Sequence, residues 1–148
     1  MQYSIRSVRV SDTSDWLRLR NLLWEGDDHE TEIAQFFAGA LAEPNEVLVA
    51  HDDAGAVVGH VELSIREDVA GLEGIRAGYI EGLYIEEAPR SSSVATQLLR
   101  HSEQWAQSQG CRAFASDRED RLIIHKRFSV SPLSNPSFQR TAFGGRGI

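Results

Sequence analysis

Glu81 sits in the run Tyr79-Ile-Glu-Gly-Leu-Tyr-Ile85, where every other residue is apolar, aromatic or glycine. A carboxylate on a buried strand is costly unless it has a partner or a task. Glu81 is therefore a candidate for attracting an ammonium group and drawing a proton from it through water. A salt bridge to Arg66 or Arg76 is the plain structural alternative. Shortly after this run, Arg90-Ser-Ser-Ser-Val-Ala-Thr96 makes a polar turn that opens a helix. Unpartnered N–H groups at such a turn sit at the positive end of the helix dipole and bind anions, and the pyrophosphate of coenzyme A is a fitting ligand. Simple helix capping by serine is the alternative. No Gly-x-Ser-x-Gly elbow surrounds the serines, so they do not read as nucleophiles.

Further acidic groups stand elsewhere. Glu25-Gly-Asp-Asp-His-Glu-Thr-Glu32 holds five carboxylates in eight residues. This segment would attract a polycation, or it is a solvated helix N-terminus of the kind the dipole favours. Asp117, in Ala115-Ser-Asp117, stands at a strand end, where an aspartate commonly caps a following helix. The five histidines show no metal-ligand spacing, so no metal is expected.

The elements that must position these groups are read from periodicity. Residues 3–9 alternate as a strand, and apolar residues at helical spacing follow over Asp12–Trp24 (Trp16, Leu19, Leu22, Leu23) and His29–Leu41 (Ile33, Phe36, Phe37, Leu41). Glu46–His51 and Ala56–Arg66 flank Asp52-Asp-Ala-Gly55, which has the residue types of a hairpin turn. A glycine-rich loop over Val69–Gly78 precedes the Tyr79–Ile85 strand. The helix after the serines buries Val94, Ala95, Leu98, Leu99, Ser102, Trp105 and Ala106 and stops at Gly110, before a short strand over Arg112–Ser116. Leu122–Phe128 reads as a continuing helix. The order β-α-α-β-β-β-α-β is an α/β fold whose last helix joins two parallel strands within a mixed, mostly antiparallel sheet flanked by helices.

Composition narrows the function classes. The chain has 148 residues and a formal charge of −7, which disfavours nucleic acid as the main partner and suits a cationic small molecule. No apolar run is long enough to cross a bilayer and no leader is apparent, so a cytoplasmic protein is expected. Cys111 is the only cysteine, so no internal disulfide forms, and it reads as a small buried side chain in a strand. After Asp120 every charged residue is basic (Arg121, Lys126, Arg127, Arg140, Arg146), whereas the first 120 residues carry 10 basic and 22 acidic groups. Residues 1–128 are accordingly read as one domain, and 129–148, rich in Ser, Pro and Gly, as a divergent tail.

The element order, the Glu81 strand and the Arg90–Ala95 turn resemble the GCN5-related N-acetyltransferase superfamily over roughly residues 3–117. Leu22-Leu-Trp24, Ile80-Glu-Gly-Leu-Tyr-Ile85, Gly110-Cys-Arg112 and Ala115-Ser-Asp117 resemble, more narrowly, the aminoglycoside 6'-N-acetyltransferases. The resemblance implies a single-domain fold and transfer of acetyl from acetyl-CoA to the 6'-amine of an aminoglycoside, hence antibiotic resistance. It implies that Glu81 and Asp117 line the amine site, that Trp24 packs against a sugar ring beside Asp27 and Asp28, and that the backbone of Leu83, Tyr84 and Ile85 receives the acetyl-pantetheine arm. Arg90, Ser91, Ser92, Ser93, Val94, Ala95 and Thr96 would hold the pyrophosphate. Pairing of late strands into a homodimer is also implied. Two other readings stay open: a related acetyltransferase for another small polyamine, and a non-catalytic protein that keeps the fold.

The chain departs from the family pattern at three places. Ser93 stands where the turn Gln/Arg-x-x-Gly-x-Gly/Ala has a glycine, which predicts weakened acetyl-CoA binding because a Cβ crowds the approach of phosphate to the backbone. Val69 stands near a position where the family often has a tyrosine. The last 20 residues do not follow the family's helix, Gly-Phe turn and final strand.

Overall fold

A computed structural model describes residues 2–26, 28–86, 93–118 and 121–129. Its elements are β1 (Ser4–Ser7), a 3-10 turn (Val10–Asp12), α1 (Thr13–Leu23), α2 (His29–Phe37), β2 (Glu46–His51), β3 (Val57–Arg66), β4 (Ala77–Ile85), α3 (Val94–Ser108), β5 (Ala113–Arg118) and β6 (Arg121–Arg127). The strands form one mixed sheet in the order β1-β2-β3-β4-β5-β6. The chain makes two compact units, Met1–Ser64 with Ile80–Ser102 and Ile65–Tyr79 with Glu103–Ile148.

In the first unit β1 runs antiparallel to β2, from Ser4↔His51 to Ser7↔Leu48, and β2 antiparallel to β3, with Glu46↔Leu63 and Val49↔His60 in register. The β2–β3 turn closes as its residue types predict: Asp52 Oδ1 accepts the N–H groups of Ala54 and Ala56, both at 2.9 Å. The α1 face differs from its pattern. Trp16, Leu19 and Arg20 are the buried residues, while Leu22 is 55% exposed. An arginine occupies the core side because buried carboxylate partners await it, a fact that hydrophobic periodicity does not encode. Trp16 packs edge-on against Phe36 at 5.1 Å and Phe37 at 5.7 Å, which joins α1 to α2. Helix α2 stops at Phe37, short of the expected Leu41. Gly39 at φ 75° terminates it, with Ala40 N–H donating to Gln35 O at 2.9 Å.

In the second unit β4 is parallel to β5 through Ala77↔Ala113, Gly78↔Phe114 and Tyr79↔Ala115, as expected of a helical crossover. Val69, Leu72, Ala77, Ala113 and Ala115 form its core, with Ile75, Tyr79 and Leu122 packed on it. Helix α3 ends at Gly110 as predicted, Cys111 N–H closing on Ala106 O at 3.0 Å. Cys111 is buried but lies just before β5, and burial pushes its thiol up to about 11, so it stays protonated.

The reading of Leu122–Phe128 as helix is corrected. These residues form β6, antiparallel to β5 from Ala113↔Arg127 to Arg118↔Arg121. The consecutive Ile123 and Ile124 favour a strand, and pairing with β5 satisfies the backbone that a lone helical turn would leave open. Asp117 therefore caps no helix. The turn residues 87–92 and the expected tail from residue 130 lie outside the described residues. Among the described residues no helix is long and apolar enough to cross a membrane.

Candidate active site

In the first unit the site is built on β4. Glu81 and the following Gly82, Leu83 and Tyr84 are half-buried, and Ile85 is buried. Gly82 has no side chain because Trp24 occupies the space: a Cβ there would lie 2.6 Å from Cη2 and 2.7 Å from Cζ2 of the Trp24 ring. The indole thus lies against the strand backbone one residue from Glu81.

Behind Trp24 is a buried charge network that sequence reasoning missed. Glu62 is only 1% exposed. Its Oε2 accepts Arg20 Nε at 2.8 Å, Trp16 Nε1 at 2.9 Å and His60 Nε2 at 3.1 Å, and its Oε1 accepts a terminal Arg20 nitrogen at 3.1 Å. Burial alone would raise the Glu62 carboxyl, but hydrogen bonds and charge from His60 and Arg20 outweigh it and hold the group down at about 2. Arg20 also donates to Glu32 at 2.6 Å, and its guanidinium carbon lies 5.2 Å from the Trp24 ring centroid. The logic applied to Glu81, that an acid on a buried strand requires a reason, applies more strongly to Glu62. The available signal was Glu62 between Val61 and Leu63, which alternation reads as one solvent-facing polar position.

Asp28 is exposed and caps α2, accepting Thr31 N–H at 3.2 Å and the Thr31 hydroxyl at 2.8 Å; these bonds hold its carboxyl below the usual carboxylate range. The structural alternative for Asp28 is thus realised, and it leaves the carboxylate in contact with solvent. Asp27 and the turn residues Arg90, Ser91 and Ser92 lie outside the described residues. Ser93 is exposed, and its hydroxyl oxygen accepts Gln97 Nε2 at 2.9 Å. Behind it Val94 is buried, Ala95 half-buried and Thr96 exposed in the first turn of α3.

In the second unit Asp117, exposed near the end of β5, lines a cavity of about 270 Å³ with Arg66, Asp68, Val69, Ala70, Tyr79 and Leu122. The Arg66 guanidinium stacks 4.6 Å from the Tyr79 ring centroid. The cavity thus offers two carboxylates, one cation and one aromatic ring. Val69 lines it, while Tyr79 supplies an aromatic from β4. Asp68 and Tyr79 were not singled out as site residues from the sequence, and Arg66 only as an alternative partner of Glu81; the proximity of β5 to the loop after β3 makes them neighbours of Asp117. Beside Asp117, Ser116 Oγ and His125 Nε2 are 2.8 Å apart. Arg76 pairs with Glu67 at 3.3 Å and donates to Gln109 O at 2.9 Å.

The acetyltransferase (GNAT) family matches residues 13–126. The chain belongs to this family. An aminoglycoside N(6')-acetyltransferase type 1 from Acinetobacter haemolyticus is 40% identical over 125 residues, covering 82% of this chain and 84% of the relative. The crystal structure of an aminoglycoside antibiotic 6'-N-acetyltransferase from Acinetobacter baumannii superposes with a TM-score of 0.71 at 26% identity, covering 99% of this chain and 90% of that one. AAC(6')-Iy, solved in complex with the bisubstrate analogue CoA-S-monomethyl-acetylneamine, superposes with a TM-score of 0.70 at 25% identity, over 100% of this chain and 91% of that one. The single-domain GNAT fold and an N-acetyltransferase activity follow for this chain.

Proposed function

We propose that this GNAT enzyme transfers the acetyl group of acetyl-CoA to the 6'-amine of an aminoglycoside. The observation that carries the reading is the Trp24 ring seated on Gly82 of β4, the residue that follows Glu81. A flat indole supplies a wall for the apolar face of an aminosugar ring, and a carboxylate on the same strand attracts its ammonium group. The names of the relatives given above, and the analogue bound by one of them, support the same substrates.

In this reading Glu81 attracts the ammonium form and takes its proton through water, and Asp117 positions the amine. The free amine attacks the acetyl carbonyl directly, with no acetyl-enzyme. A backbone N–H near Leu83 stabilises the oxyanion as the C–N bond forms. The intermediate collapses with cleavage of the C–S bond as the nitrogen gives up its extra proton and the departing sulfur takes one up, which leaves CoA and the acetylated amine. The backbone of Leu83, Tyr84 and Ile85 holds the acetyl-pantetheine arm, and Arg90 to Thr96 hold the pyrophosphate at the start of α3. Asp27 and Asp28 add negative charge that attracts the polycation. Residues 1–128 form the catalytic domain, 129–148 a divergent tail, and the enzyme works in the cytoplasm, where acetyl-CoA is made, as a homodimer.

Thiol release from acetyl-CoA with a panel of amines tests this. Kanamycin and tobramycin, which carry a 6'-amine, should be turned over, and an aminoglycoside with a 6'-hydroxyl should not. Turnover of simple polyamines in preference to aminoglycosides, or acetyl-CoA binding without turnover of any amine, would overturn the proposal.

A further inference from the structure

The Arg20–Glu62 pair is almost wholly enclosed, with side-chain exposures of 10% and 1%. An enclosed ion pair is a weak source of stability, since desolvation offsets most of the attraction and well-packed apolar residues serve as well. Its geometry points to another use. Arg20 Nε and one terminal nitrogen fork onto Glu62, which fixes the plane of the guanidinium. Its guanidinium carbon lies 5.2 Å from the Trp24 ring centroid. A second terminal nitrogen of Arg20 reaches His29 Nδ1 at 3.4 Å, and His29 Nε2 lies 3.1 Å from the backbone carbonyl of Trp24. With Nδ1 accepting, Nε2 carries the proton and donates to that carbonyl. Trp24 is thereby held at both ends, its ring by the cation and its backbone by the histidine. Its far edge presses on Gly82.

We propose that Arg20, anchored by Glu62, is a positioning residue for substrate specificity: it fixes the Trp24 ring against Gly82 and so sets the wall against which the aminosugar rests. The ring-wall role rests on the proposed function; the fixing of Trp24 does not. An indole without this clamp has room to turn about its side-chain torsions, and a displaced wall weakens substrate orientation without touching the cofactor side.

Two variants test the inference. Arg20→Lys keeps the charge but lacks the planar fork, and Arg20→Met/Glu62→Gln removes both charges so that no buried ion is left alone. The full chain is assayed for KM and kcat with kanamycin and for KM with acetyl-CoA. In parallel, indole N–H resonances are followed by NMR, with Trp24→Phe identifying the Trp24 signal. The inference predicts a rise in kanamycin KM of about tenfold, with kcat within about threefold, an unchanged acetyl-CoA KM, and a Trp24 indole signal that shifts or splits while that of Trp105 stays. Folded variants with unchanged kanamycin KM and an unmoved Trp24 signal would overturn it, even if their melting temperatures fall. Should the wild-type enzyme acetylate no aminoglycoside, the functional reading fails, and the Trp24 signal alone decides whether Arg20 fixes the ring.

Discussion

Gly82→Ala places one methyl group between β4 and the Trp24 ring. The new Cβ would sit 2.6 Å from Cη2, 2.7 Å from Cζ2 and 3.0 Å from Leu23 Cδ2, where ordinary contact begins at 3.4 Å. The ring must therefore retreat by ~0.8 Å. Gly82 lies outside the left-handed region of backbone space, so alanine adds no backbone strain. Overpacking of this kind costs about 1–3 kcal/mol. Replacing glycine where the backbone tolerates a side chain returns about 0.4–1 kcal/mol by restricting the unfolded chain. The variant should fold and melt only a few degrees lower. Its effect should fall on substrate binding instead, because a misplacement approaching 1 Å of a group that orients substrate can cost up to about 100-fold. Steady-state kinetics by thiol release would show kanamycin KM raised roughly 10- to 100-fold, with acetyl-CoA KM unchanged. A folded variant with wild-type kanamycin KM would refute the placement of Trp24 in the substrate wall.

Other perturbations give distinct outcomes. Ser93→Gly should tighten acetyl-CoA binding several-fold in isothermal titration, since it removes the Cβ and leaves Gln97 without its hydroxyl acceptor; equal affinities would show the serine to be harmless. Glu62, held at about 2 against an ordinary 4.5, contributes stability that is fully present above pH 4.5 and is lost as pH falls toward 2. That linkage amounts to about 3 kcal/mol, so acid titration of unfolding should show Glu62→Gln with a markedly flatter pH dependence over this window than the wild type. Asp117→Asn should lower kcat/KM for kanamycin by about 10-fold or more while leaving acetyl-CoA binding intact; an unchanged kcat/KM would remove Asp117 from the amine site.

The helix from Val94 was legible because its apolar face and its terminal Gly110 agree, and the β2–β3 hairpin because Asp52 and Gly55 carry the turn chemistry in their side chain and backbone. β6 was not legible, since Leu122, Ile123 and Ile124 are too few to separate a strand from a helical turn, and only pairing with β5 decides between them. At the site, Glu81 stood out by residue type in an apolar setting, and Trp24 only through the family resemblance. Arg20 and Glu62 did not, because each looks like an ordinary polar position on an amphipathic element. Their burial arises from the meeting of α1 with β3, more than 40 residues away in sequence. Likewise Asp68, Tyr79 and Asp117 share a cavity only once the loop after β3 folds beside β5.

The central claim is most directly tested by incubating the purified chain with acetyl-CoA and kanamycin and determining the product by mass spectrometry and NMR. The account predicts one acetyl group, on the 6'-nitrogen, formed with release of CoA and suppressed in Glu81→Gln. Acetylation at any other nitrogen, or undiminished 6'-acetylation by Glu81→Gln, would contradict it.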